Sequence, residues 1–342
     1  MPVRLTSLLL AIAAIVSVPC FARDAPFAPD AALDNRVYEG PVIDMHVHTA
    51  GAGENGPPGS MVCVGAAADL RFDPREPWME ALGRSMARPA CDDPIKGAMT
   101  DVENRDGTIA ALRRHRARAV LSGDLASRKD WMDAAPAGLF IPAQYLSWAD
   151  LPDYPPEAIA AAFDRGEIAL LSEVTIQYRG VFADDPRFEP YWKMAEDKGI
   201  PVGIHVGVGP PGSPMVFPEY RLQNPKHLEA VLTRHPRLRV YMMHAGWPYA
   251  EDLKAMFYAW PQLMVDTGVL QVALTGEEYY RFLKDIVEAG FADRIMFGSD
   301  QMNWPGLIDE GVSAINAAPF LTYGQKKAIL HDNAARFLRL DE

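Results

Sequence analysis

The feature that most constrains this chain is an alternation of short β-rich runs with segments of helical periodicity, sustained from residue 41 almost to the end. The runs that read as strands cover 41–48, 118–122, 139–143, 168–174, 201–206, 238–244, 262–267 and 294–299, and helical patterns such as 191–198, 227–235, 277–289 and 325–338 lie between them. Near-continuous apolar runs predict parallel strands buried on both faces. Eight strand–helix units predict a closed (β/α)8 TIM barrel. The competing open, doubly wound sheet would carry a Gly-rich phosphate loop, and the sequence has none. The 342 residues would accommodate two average domains, but one such barrel commonly takes about 250 residues or more. The surplus falls at 49–100, a stretch dense in Gly, Pro, Asp and Met with no sustained period, which predicts a long loop insertion after the first strand.

The N-terminus has a different character. Arg4 precedes an apolar run, 8–18, and then Cys20-Phe21-Ala22, whose small residues suit signal-peptidase cleavage. Residues 1–22 therefore read as a signal peptide and 23–342 as one barrel domain, exported to the periplasm or secreted. A membrane anchor would need a longer apolar run. Pro19 argues against lipid attachment at Cys20. Export leaves Cys63 and Cys91, which form either a disulfide or a reactive or metal-binding thiolate, the latter without a CxxC partner. A net charge of −12 with scattered acidic residues excludes nucleic acid and anionic membrane surfaces as partners. The expected partner is a small-molecule substrate, and self-association into a homo-oligomer is left open.

Chemistry concentrates at the strand ends. His46 and His48, two apart on one strand, project to the same side and are able to share a cation. His205 and His244 end later strands, the first followed two residues on by Gly207 and the second by Ala245-Gly246. Asp300 ends the last strand, beside the first. Any one of these histidines suits a hydrogen-bonded place in a barrel wall, and Asp300 suits a helix N-cap. Four histidines at the ends of three predicted strands point instead to a metal. Glu173 lies in a buried strand, where an anion is costly unless paired or metal-bound. The remaining histidines, His115, His227, His235 and His331, read as surface residues.

In order along the chain, Asp44-Met45-His46-Val47-His48, Ile204-His205, His244-Ala245-Gly246 and Gly298-Ser299-Asp300 resemble the amidohydrolase superfamily, and within it the amidohydrolase-related branch. The closing segment, 330–337, looks like that family's terminal helix, so the resemblance covers about 41–338. It implies that His46, His48 and His205 bind metal, that Asp300 is ligand and general base, and that His244 is a second-metal ligand or the catalytic acid/base. Many two-metal members have a carboxylated Lys on the fourth strand and others a Glu. This strand has no Lys, so Glu173 either bridges two ions or turns away and leaves one.

The expected activity is metal-dependent hydrolysis of an ester, lactone, amide or phosphoester bond, with decarboxylation as the alternative. The expected cofactor is one or two divalent ions, Zn2+ before Mn, Fe or Co. Arg179, Trp247 and Trp304, with Gln144, Tyr178 and Asn303, follow predicted strands and are candidate substrate contacts.

Overall fold

Eight parallel strands join in sequence order: β1 (Val42–His48), β2 (Ala117–Gly123), β3 (Phe140–Ser147), β4 (Leu170–Thr175), β5 (Val202–His205), β6 (Val240–Met243), β7 (Met264–Asp266) and β8 (Ile295–Met296). The computed structural model describes residues 36–65 and 70–340, so the expected signal peptide, 1–22, lies outside the described residues. Backbone bonds close the ring. Met45 N–H donates to Phe297 O at 2.9 Å and Asp300 N–H donates to His46 O at 2.8 Å. The architecture is the expected (β/α)8 TIM barrel, and none of its described helices is long and apolar enough to cross a membrane.

Side chains alternate between two cores, as the period of a strand requires. Ile43, Val120, Ile141, Leu170, Tyr241 and Met264 fill one cluster, while Val47, Leu121, Leu171, Ile204, Met242 and Val265 pack in the larger layer beneath the helices. Each such aliphatic burial contributes about 1.5–3 kcal/mol. In two strands the alternation breaks. Partners pass from Asp44–Ala119 to Val47–Leu121 between β1 and β2, and from Leu171–Val202 to Val174–Ile204 between β4 and β5, three residues facing two in each case. β4 is out of step with β3 at the same place. Each bulge supplies one extra residue on the inner side. Met45 and His46 both turn inward in β1, and Ser172 and Glu173 do so in β4.

Several elements differ from the sequence expectation. β6 stops at Met243, where His244 leaves the β region with φ of 58°, and β8 stops at Met296, ahead of Asp300, whose φ is 50°. The expected helix over 227–235 divides into a 3-10 turn, Pro225–Leu228, capped by the Asn224 side chain, and a short helix, Glu229–Arg234. His235 is buried rather than on the surface, between Glu189 and Glu196, and His115, His227 and His331 are half-buried.

The insertion is more ordered than its composition suggests. It contains a helix, Trp78–Ala87, an antiparallel pair of Met61–Val62 with Ile95–Lys96, and a disulfide between Cys63 and Cys91. The pairing decides between the two readings of these cysteines. Loops beyond β7 and β8 anchor the insertion: Gly65 N–H donates to Val272 O at 2.7 Å, Ala98 N–H to Asn303 O at 2.9 Å, and Trp304 Nε1 to Ser60 O at 2.9 Å.

Candidate metal centre

β1 brings His46 and His48 together with their Nε2 atoms 3.0 Å apart. Asp300, on the loop leaving β8, places Oδ1 3.6 Å from His46 Nε2 and 3.3 Å from His48 Nε2. Glu173 reaches in from β4, with Oε2 3.8 Å from His48 Nε2 and Oε1 in close contact with His205 Nδ1 and 3.4 Å from His244 Nε2. The inner nitrogens of His205 and His244 lie 3.2 Å apart. All six residues meet at the C-terminal mouth of the barrel, and all but His48 are buried.

Outer hydrogen bonds settle which nitrogen faces inward. His46 Nδ1 donates to Asp266 Oδ2 at 3.1 Å and His244 Nδ1 to the Gly268 carbonyl at 3.0 Å, while His205 has an acceptor at each nitrogen, the Val208 carbonyl 3.4 Å from Nε2 and Glu173 Oε1 in close contact with Nδ1. In their neutral forms His46 and His244 therefore turn bare Nε2 lone pairs into the centre. Lone pairs facing at this range, with carboxylates between them, repel unless a cation holds them. Among the described residues no Lys or Arg pairs with Glu173 or Asp300. Two donor groups suit an ion: His46, His48 and Asp300, and His46, Glu173 and His244. The residues thus fit a divalent metal.

The carboxylates of the centre demand positive charge, and a proton on His46 meets that demand where no metal does. Burial alone would lower the His46 pKa, but the Asp300 and Asp266 carboxylates overcome it and raise it to about 10. Burial acts to raise Glu173 and Asp300, yet the imidazoles around them hold both below the ordinary carboxylate range. Burial and the neighbouring His244 lower His205. Burial also acts to lower His244, but its bond to Glu173 and the charges of Asp300 and Glu173 together raise it.

A model of the amidohydrolase family matches residues 43–340. The chain belongs to the amidohydrolase family. Members are enzymes, hydrolases and decarboxylases among them, and generally use a divalent metal. No curated protein matches this chain significantly by sequence. Three solved structures share its fold. A TIM-barrel protein from Bordetella bronchiseptica is 21% identical, with a TM-score of 0.56 over 88% of this chain and 99% of that one. 2,6-Dihydroxybenzoate decarboxylase from Rhizobium is 17% identical, with a TM-score of 0.52 over 88% and 99%. A probable 2-pyrone-4,6-dicarboxylic acid hydrolase from Acinetobacter baumannii is 13% identical, with a TM-score of 0.52 over 87% and 99%.

Around the centre lie residues that the sequence reading passed over. Asp266, fully buried at the end of β7, accepts from His46 Nδ1 and also, through Oδ1, from the backbone N–H groups of His244 and Gly268 at 2.9 Å each. A charged residue inside the apolar run Leu263-Met264-Val265-Asp266 was the available signal. Gln301 accepts from His48 N–H at 2.9 Å and donates to His48 O at 2.7 Å, pinning that backbone. Asp44 accepts from His46 N–H at 3.0 Å and Ser299 N–H at 2.9 Å, and burial raises its pKa to about 6. Gly298 leaves room for the ring: a Cβ there would stand 2.9 Å from His46 Cβ.

The expected substrate contacts divide. Trp304 is only 2% exposed and packs under the insertion, so it is an anchor and not a substrate contact. Asn303 is buried in the same seam, and Gln144 is buried against Arg128. Arg179 is exposed and faces Glu219 at 3.7 Å, while Trp247 is half-buried with its Nε1 donating to Glu278 at 3.0 Å. Tyr178 alone of these stands over the centre, its ring 5.2 Å from that of His205.

Proposed function

We propose that this amidohydrolase is an exported, metal-dependent hydrolase of small molecules, acting in the periplasm or outside the cell on an ester, lactone, amide or phosphoester bond. The observation that carries the reading is the double aim of Asp300. Its Oδ1 faces His46 and His48, whereas Oδ2 lies 3.9 Å from His244 Nδ1. This supports a division of labour in which Oδ1 holds an ion and Oδ2 moves a proton.

His46, His48, Glu173, His244 and Asp300 would hold the ion or ions, joined by His205, whose Nδ1 lies 3.2 Å from His244 Nε2, with Zn2+ suited to this imidazole-rich set. When bound, a divalent cation acts as a Lewis acid that activates water near neutral pH and polarises the scissile group. Asp300 takes a proton from the attacking water and returns it to the leaving group. His244, its Nδ1 donating to Gly268 O, presents Nε2 as a ligand or, with a single ion, as the acid/base partner. Asp266 keeps His46 in the tautomer that offers Nε2. Arg179 and Trp247, at the ends of their strands, are the outer substrate contacts of this reading.

Decarboxylation on the same donor set is the second reading, since a decarboxylase and a hydrolase both share this barrel. Metal content per chain, measured in the parent and in Glu173→Ala, together with a screen of esters, lactones, phosphoesters and aryl carboxylates, separates the two. Two ions falling to one or none in the variant, with acid or alcohol released, is the expected result. Release of carbon dioxide and the arene from an aryl carboxylate, with no ester, lactone or phosphoester cleaved, would replace hydrolysis by decarboxylation, and a protein that binds no metal and ignores chelators would end both readings.

A further inference from the structure

Two phenols stand beside the metal centre, and they differ in one respect. Tyr145 is tied down, its hydroxyl 2.8 Å from Thr175 Oγ1. Tyr178, half-buried on the 3-10 turn Ile176–Arg179 that follows β4, makes ring contacts but no hydrogen bond through its hydroxyl among the described residues. Glu173 and Asp300 are the two carboxylates that act on it electrostatically. The free hydroxyl is nonetheless on a fixed ring. Tyr178 meets His205 edge-on at 5.2 Å and packs against Phe217 at 4.6 Å and Tyr220 at 6.0 Å. Tyr220 is held in turn by Gly209 N–H, which donates to its hydroxyl at 2.7 Å, and a Cβ at Gly209 would come within 3.0 Å of the Tyr178 ring.

A rigid donor with no partner in the protein, beside the ligands of a hydrolytic centre, has the requirements of an oxyanion donor: it costs no reorganisation when charge appears. We propose that Tyr178 is a catalytic residue whose hydroxyl donates a hydrogen bond to the oxygen of the scissile carbonyl and binds that oxygen more strongly as it becomes negative. This rests on the hydrolytic reading above. Water attacks the carbonyl carbon, a carbon–oxygen bond forms, the π pair moves onto the carbonyl oxygen, and Asp300 takes the water proton. The pair then returns as the bond to the leaving oxygen breaks, and that oxygen receives the proton. Tyr178 keeps its own proton throughout.

The test uses the full metal-loaded enzyme, with phenyl acetate as substrate and phenyl methylphosphonate as a mimic of the tetrahedral anion. Tyr178→Phe keeps the ring and removes the donor. The expected result is a fall in kcat of about 100-fold, with little change in KM, unchanged metal content, and phosphonate binding weakened by a similar factor in calorimetry. Equal kcat and equal phosphonate affinity in the two proteins would overturn the assignment. If the parent does not hydrolyse phenyl acetate, the hydrolytic reading fails for carboxyl esters and phosphonate binding decides Tyr178 by itself: weaker binding in the Phe variant keeps the hydrogen bond, equal binding removes it. If the Phe variant loses metal, 3-fluorotyrosine placed at position 178 supplies the same comparison with the ring intact. A more acidic donor must tighten the phosphonate, and unchanged or weaker binding refutes the proposal.

Discussion

The strands that carry His46 and Glu173 and those that lead to His244 and Asp300 solve the same problem in different ways. β1 and β4 aim a ligand from within the ladder by accommodating one extra residue. β6 and β8 run in regular register and deliver the ligand just beyond the strand, on a backbone with positive φ. The first device leaves the ligand inside the barrel wall with its backbone N–H taken by a side chain, His46 N–H donating to Asp44 Oδ1 at 3.0 Å and Glu173 N–H to Ser122 Oγ at 2.8 Å. The second places a non-Gly residue in a sparsely populated conformation, at a cost of about 1–3 kcal/mol each. A bulge therefore yields a stiff anchor, while the strained end yields a group poised against a mobile partner such as a proton.

The largest effect that would break this comparison is expected at the bulge itself. Glu173→Ala should lower metal content and take turnover to background, because Oε1 touches both His205 and His244 and nothing else described replaces it. Retention of full metal would show that β4 is not an anchor. Leu171→Ala, on the opposite face of the same bulged strand, should lose about 2–5 kcal/mol in urea unfolding while metal content stays that of the parent. Loss of metal in that variant would mean that the two faces of β4 are not independent.

A smaller change tests the outer shell. Asp266→Asn should weaken metal affinity by about 10–100-fold, since His46 loses its charged partner but not its place in β1. Equal affinity would remove Asp266 from the centre. For the insertion, replacing Cys63 and Cys91 by Ser opens a 28-residue separation, an effect worth at most about 3–4 kcal/mol by loop entropy. It should appear as faster proteolysis within 49–100 before any change in the barrel, and uniform destabilisation would contradict the separate anchoring of the insertion. The smallest effect concerns pH. Burial acts to raise Asp309, but His115 at 2.8 Å and Arg114 overcome it, so its pKa lies below the ordinary 3.8. Its stabilisation is complete above that value and is lost as pH falls through the lowered one, so Asp309→Asn should flatten the acid limb of the unfolding profile. An unchanged acid limb would show that the pair contributes nothing.

Much of the centre was legible in the chain because strand-end position is a local property. His46, His48, His205, His244 and Asp300 follow apolar runs whose period announces a strand, and Glu173 sits inside one. Strict alternation, however, cannot show that Met45 and His46, or Ser172 and Glu173, face the same way, since a bulge is created by the neighbouring strand's register. The same limit explains Trp304, Asn303 and Gln144. They follow strands, as substrate contacts do, but the insertion or Arg128 covers them, and burial of that kind depends on residues far away in sequence.

What the sequence determined by itself was the strand–helix alternation, the long insertion after β1 and the order of ligand-bearing segments, all of which follow from periodicity and residue chemistry within short windows. The tertiary structure alone decided the tautomers. Whether an imidazole offers Nδ1 or Nε2 depends on the acceptor behind it, and Asp266 lies 220 residues from His46. A hydrogen bond over that separation exists only once the barrel has closed.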